Sequence, residues 1–86
     1  MIQKRNVEAC EHAHEYWKQN RTHTEDRRRI CLDISTQLMG LIKTNAPVAD
    51  FVALDDKCEE LKIDEFGHGG FGLRSAIIAV LSDLGS

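Results

Sequence analysis

Apolar residues recur every three or four positions along most of the chain. This spacing lines one side of a helix, because an α-helix completes a turn in 3.6 residues. It predicts four helices, over residues 3 to 20, 22 to 43, 47 to 61 and 73 to 84. Since no strand-like alternation interrupts the pattern, we predict an all-α fold, a small bundle of about four helices in one domain spanning residues 1–86.

Each predicted helix has an apolar face. The faces comprise Val7, Cys10, His14 and Trp17 on the first helix; Ile30, Ile34, Leu38, Leu41 and Ile42, with Cys31 at the edge, on the second; Phe51, Leu54, Cys58 and Leu61, with Val48 and Val52 alongside, on the third; and Leu73, Ala76, Ile77, Val80, Leu81 and Leu84 on the fourth. A chain of this length encloses little more than one layer of core. We therefore expect a surplus of apolar surface that a second copy or another protein would cover.

Residues typical of helix ends mark the boundaries of these helices. Thr22 and Glu25 have the spacing of a capping box, and Thr24 is the alternative cap of the same helix. Asn45 tolerates the left-handed conformation that ends a helix, and Pro47 suits the start of the next one. Gly85 is the expected cap of the last helix.

Composition favours a globular protein, with 42% apolar and 29% charged residues. The longest apolar run, at 76–81, is far shorter than the roughly 20 residues that cross a bilayer, and no signal-peptide segment follows Met1. Cys10, Cys31 and Cys58 are an odd number of widely spaced cysteines at apolar helical positions. We expect a cytoplasmic protein whose thiols are buried and reduced.

Charge is unevenly distributed along the chain. Seven basic and five acidic residues precede position 30, and four basic and nine acidic residues follow, for a net charge of −3. This asymmetry would let copies attract head to tail, or would present one face to an anion. Binding to duplex nucleic acid is disfavoured, because a domain of this net charge lacks a surface that releases counterions.

The basic segment 21–29 is one candidate ligand site. Backbone N–H groups at a helix start add to its positive potential, and two aromatic residues precede it as a surface on which a base would stack. The candidate residues are Tyr16, Trp17, Arg21, Thr22, Arg27 and Arg28. Two alternatives remain open, a docking site for a protein and a solvated charged face. Glu25 and Asp26 partly neutralise the segment, and Arg29 is placed to pair with Asp33.

The glycine-rich segment 67–72 is the second candidate. It matches the G-x-G-x-x-G pattern of dinucleotide-binding proteins, but no strand precedes it and no βαβ unit follows, so we reject that interpretation. An anion site at the start of the last helix is still compatible with it, formed by His68, Gly69, Gly70 and Arg74. The alternative is a turn that only lets two helices pack closely.

Metal and catalytic sites are not predicted. Glu11 with His14 and Glu65 with His68 have the Glu-x-x-His spacing of di-iron bundles, but the other glutamates of such a site are missing. Cys10 and His14 would supply only two of the four ligands that zinc prefers. No cysteine or serine lies in a setting that would activate it as a nucleophile, so we expect no cofactor and no enzymatic activity.

These observations favour binding over catalysis. We predict a small binding or adaptor protein that acts through protein–protein contacts and associates with itself. The alternative is a sponge, sensor or inhibitor that binds a small anionic ligand such as a nucleotide or a signalling phosphate through the two candidate sites.

Overall fold

The computed structural model describes residues 1–19, 23–63 and 72–85 of the chain. These residues form four α-helices, α1 (Lys4–Gln19), α2 (Glu25–Lys43), α3 (Val48–Glu60) and α4 (Leu73–Asp83), and no strand occurs among them. The predicted all-α bundle is confirmed, with helix bounds close to those expected from the sequence. The predicted glycine-rich loop, except for Gly72, falls outside the described residues.

Contacts between distant parts of the chain determine the direction of each helix. The pairs are Gln3 with Asp83, Cys10 with Ala76, Lys18 with Arg28, Asp33 with Lys57, and Asp55 with Arg74. Successive helices are therefore antiparallel, and α4 returns to lie beside α1. One end of the bundle, called here the Trp17 end, gathers the ends of α1 and α3 with the starts of α2 and α4. The opposite end is called the Met1 end.

The start of α2 follows the predicted capping chemistry. The Thr24 hydroxyl accepts a hydrogen bond of 3.2 Å from the backbone N–H of Arg27, which would otherwise lack a partner inside the helix. Of the two predicted caps, Thr24 is thus the one that the structure supports, and Thr22 lies outside the described residues.

Asn45 and Pro47 form the predicted stop and restart between α2 and α3. Asn45 has a φ of 52°, in the left-handed region, and Pro47 directly precedes α3 with a φ of −65°. Gly85, with a φ of 80°, plays the corresponding part after α4. These connections are short and local, which is why the sequence predicts them well.

The core lies between the inner faces of all four helices. Its buried members are Cys10, Ala13, Trp17, Cys31, Ile34, Ser35, Leu38, Phe51, Leu54, Cys58, Ile63, Leu73, Ala76, Ile77 and Val80. Most belong to the predicted apolar faces, and all three cysteines are buried and free, as expected. Ser35 is an unpredicted member, and its hydroxyl donates to the Leu32 carbonyl at 3.0 Å, so its burial leaves no donor without a partner.

Two details of the sequence interpretation are wrong. Leu61 is 37% exposed and Ile63 is 1% exposed in its place, because α3 ends at Glu60 and Lys62 turns the chain with a φ of 59°. Arg29 pairs with Asp26 at 3.4 Å and not with Asp33, because helical side chains lean toward the N-terminus of their helix.

Candidate functional site

Half of the predicted ligand-binding residues belong to the described part of the chain. These are Tyr16, Trp17, Arg27, Arg28 and Arg74. The antiparallel bundle brings all five toward the Trp17 end, although they come from three helices. The other five, Arg21, Thr22, His68, Gly69 and Gly70, lie outside the described residues.

The two aromatic residues differ in what they offer a ligand. Trp17 is 0% exposed, and the centre of its ring lies 4.8 Å from the centre of the His23 ring and 5.2 Å from the centre of the Tyr16 ring, with the Tyr16 and Trp17 rings nearly perpendicular. This burial contradicts a stacking role for Trp17, because its ring belongs to the core. Tyr16 is half-buried, and its hydroxyl lies 3.0 Å from Nε2 of His23. The three rings form a clamp between the end of α1 and the start of α2.

Arg28 and Arg27 are engaged by groups of the bundle itself. The Arg28 guanidinium donates a 2.9 Å hydrogen bond to the Lys18 carbonyl, in the last turn of α1, where a carbonyl has no partner within the helix. Arg27 is half-buried, and its side chain forms a hydrogen bond with the Cys31 thiol one turn further along α2. Arg28 therefore joins α1 to α2, and Arg27 interacts with a buried core residue of its own helix.

Arg74 is held by two carboxylates of α3. Its Nε lies 3.1 Å from Oδ1 of Asp55, and its terminal nitrogen lies 3.7 Å from Glu59, with 19% of the Arg74 side chain exposed. The hydrogen bond with Asp55 raises the pKa of Arg74 further above its ordinary value. An anion at Arg74 would have to compete with two negative charges already in place.

The same region contains two buried thiols, Cys31 and Cys58. Burial raises the pKa of Cys58 to about 12, and burial also raises the pKa of Cys31 against the opposing effect of Arg27. Cys10 has a pKa of about 12 for the same reason, and its Sγ lies 3.9 Å from the Ala76 carbonyl. These groups are thiols rather than thiolates, so they behave as small core side chains.

The Glu-x-x-His pair on α1 is split between water and the core. Glu11 is exposed, whereas His14 is half-buried with Nε2 at 3.3 Å from the Thr36 hydroxyl, which explains the histidine as a link between α1 and α2. Among the described residues, no group of three or more His, Cys, Asp or Glu side chains could hold a metal ion. Glu65 and His68 lie outside them.

A surface that the sequence interpretation did not single out runs along α4. The α4 outer face consists of Ser75, Ile78, Ala79 and Ser82, and Ile78 at its centre is 36% exposed. No charged residue stands between Arg74 and Asp83. The signal was present in the sequence, because an apolar run of six residues at 76–81 exceeds one helical turn and must place an apolar side chain outside.

A cavity of about 330 Å³ opens at the Met1 end of the bundle. Ile2, Ile42, Phe51 and Leu84 are among its mostly apolar lining residues. Its volume is at the lower limit of the ligand pockets found in proteins, so it would admit a small apolar group at most. Arg27, Arg28 and Arg74, the predicted basic residues that the structure describes, lie toward the opposite end of the bundle.

Comparisons with known proteins give no guide to function. No protein family, no curated protein and no solved structure matches this chain. None of the helices formed by the described residues is both long and apolar enough to cross a membrane.

Proposed function

We propose that this chain is a small binding protein that acts through protein–protein contacts and associates with copies of itself. The observation that carries the proposal is the α4 outer face, which is uncharged along its length and has Ile78 exposed at its centre. The central part of a protein interface is depleted in charged residues and built around a few large apolar side chains. The α4 outer face has this character.

Binding without catalysis is part of the proposal. The three thiols are buried, and the pKa values of all three are raised, so they are poor nucleophiles. A cytoplasmic location is also part of it, supported by the free state of these cysteines, since thiols stay reduced in that compartment.

Sedimentation velocity over a wide range of concentration tests this function. We expect the wild type to shift to a larger species as concentration rises, and Ile78→Glu to weaken the association at least about tenfold, because a carboxylate would be desolvated at the contact. His12→Glu is the matched control, since it adds the same charge at an exposed position of α1. A wild type that stays monomeric at the highest concentration, or equal effects of the two variants, would contradict the proposal.

A second candidate function is the binding of a small anionic ligand such as a nucleotide or a signalling phosphate. It is favoured by one observation, that the helix ends flanking segments 20–22 and 64–71 all lie at the Trp17 end. The internal partners of Arg28 and Arg74 weigh against it. Thermal unfolding with nucleotides and inorganic phosphate is the test, because a ligand at 100 times its Kd adds about 2.7 kcal/mol of stability. The absence of any shift, or a shift that Arg27→Ala leaves unchanged, would remove this candidate.

A further inference from the structure

We infer that the α4 outer face pairs with the same face of a second copy, with the two α4 helices antiparallel and a two-fold axis passing between Ile78 and Ala79. This inference rests on the proposed function, because it presupposes that the chain self-associates. It adds that the α4 outer face meets the same face of the second copy, and it adds the direction of the contact.

Charge selects α4 among the four described helices. In a two-fold symmetric dimer a helix at the axis meets its own copy, so a charge close to the axis on its outer surface meets the same charge of the partner. The outer surface of α1 carries Glu8, Glu11 and Glu15, and that of α3 carries Asp56, Glu59 and Glu60. The outer surface of α2 carries Asp26, Arg29 and Asp33. Pairing through α4 avoids this repulsion.

The order of side chains along α4 selects the antiparallel direction. Ser75, Ile78, Ala79 and Ser82 are spaced symmetrically about a point between positions 78 and 79. An antiparallel pair therefore sets Ile78 beside the partner's Ala79, so that a large side chain lies opposite a small one. A parallel pair would set like beside like, which crowds the contact at Ile78 and leaves space at Ala79.

Electrostatics at the two ends of α4 favours the same direction. At the Trp17 end, Arg74 is outnumbered by Asp55 and Glu59, whereas at the Met1 end the Asp83 carboxylate is attracted by Arg5. A parallel pair would bring the group formed by Arg74, Asp55 and Glu59, which has one more negative than positive charge, next to the same group of the partner. An antiparallel pair instead brings this group to the level of the partner's Arg5. It also sets the two helix dipoles in opposite directions. The two ends of α4 are about 14 Å apart, which is longer than the Debye length. Each end is therefore influenced mainly by the charges of the partner's end that lies beside it.

Cysteine cross-linking tests the geometry with two single variants, Ser75→Cys and Ser82→Cys. Positions 75 and 82 are about 10 Å apart along α4, more than a disulfide spans. In the antiparallel pair, position 75 of one copy lies beside position 82 of the other. We therefore expect a mixture of the two variants to form the mixed disulfide at least about tenfold faster than either variant links to itself.

Mass spectrometry of the oxidised mixture distinguishes the possible products, and the wild type, whose cysteines are buried, is the control for background oxidation. Circular dichroism confirms that both variants are folded. Self-linking that is faster than mixed linking, or no preferred product in a sample that sedimentation shows to be associated, overturns the antiparallel α4 contact and leaves the proposed function intact. A wild type that does not associate overturns both.

Discussion

Helices α1 and α4 lie side by side and bury similar inner faces, yet their outer surfaces differ. Cys10 and Trp17 of α1 are as fully buried as Ile77 and Val80 of α4. Outside, α1 carries charged side chains along its whole length, among them Glu8, Glu11, Glu15 and Lys18, whereas α4 carries no charge between its two ends. The core alone would not distinguish the two helices. The outer surfaces do so, because a helix that faces water tolerates charge and a helix that faces another protein is better without it.

The largest difference expected between inner and outer positions is in thiol reactivity. Raising a thiol pKa from 9.0 to about 12 lowers the thiolate fraction at neutral pH about a thousandfold, as for Cys10 and Cys58. In dilute solution, where no second copy covers the α4 outer face, a thiol-specific chromogenic reagent should therefore react rapidly with Ser82→Cys and far more slowly with the native cysteines. Denaturant should remove the difference. Native cysteines that react as fast as the introduced one would show that the inner faces are open to solvent.

The next largest effect compares two neighbouring isoleucines. Ile77→Ala should lower the free energy of unfolding by about 2–5 kcal/mol, because it leaves a cavity in the core. Ile78→Ala should cost less than about 1 kcal/mol in dilute solution, where no partner covers it. Chemical denaturation at low protein concentration measures both changes. An equal loss of unfolding free energy in the two variants would mean that Ile77 and Ile78 have equivalent surroundings, which would contradict the structure.

A smaller effect is expected at the ion pair that joins α3 to α4. Arg74→Gln should destabilise the fold by about 1–3 kcal/mol, because it leaves the poorly exposed Asp55 carboxylate without its charged donor. Arg29→Gln is the matched control, since the pair of Arg29 with Asp26 is exposed and should contribute less than about 1 kcal/mol. Denaturation of both variants in the same buffer compares them, and an Arg74 variant no worse than the control would mean that the pair is solvated.

The smallest effect expected concerns the link between the end of α4 and the start of α1. Asp83 accepts hydrogen bonds from the Asn6 side chain at 2.6 Å and from the backbone N–H of Gln3 at 2.9 Å, and these lower its pKa below the ordinary 3.8. Since the folded-state pKa is the lower one, the carboxylate stabilises the fold above pH 3.8, and this contribution is lost as the pH falls through the folded-state value.

Asp83→Asn should therefore be less stable than the wild type at neutral pH, with the gap narrowing in acid. Asp56→Asn, which removes an exposed carboxylate of α3, is the control. Unfolding curves across the acid range measure the gap, and a gap that is constant with pH would rule out a role for the Asp83 charge.

Much of the fold was predictable because it depends on local features. The repeat of apolar residues predicts the four helices, and Thr24, Asn45, Pro47 and Gly85 act where their chemistry places them. The error at Leu61 and Ile63 has a physical reason. Helical periodicity predicts the direction of a side chain only while the helix continues, and α3 ends before both residues.

The candidate site was less predictable, because its charged residues have partners on other helices. Arg28 reaches the carbonyl of Lys18 on α1, and Arg74 reaches Asp55 on α3. These two predicted ligand-binding residues thus take part in structural contacts between helices. Neither partner can be read from spacing along the chain, because each lies on another helix.

The sequence by itself determined the number of helices, most of their ends and the burial of the three cysteines, since each of these depends on residues within a few turns of one another. Only the tertiary structure decided that Arg28 reaches the Lys18 carbonyl on α1 and that Arg74 pairs with Asp55 on α3. These outcomes depend on which helix packs against which face, and that choice is made by contacts between residues far apart in the chain.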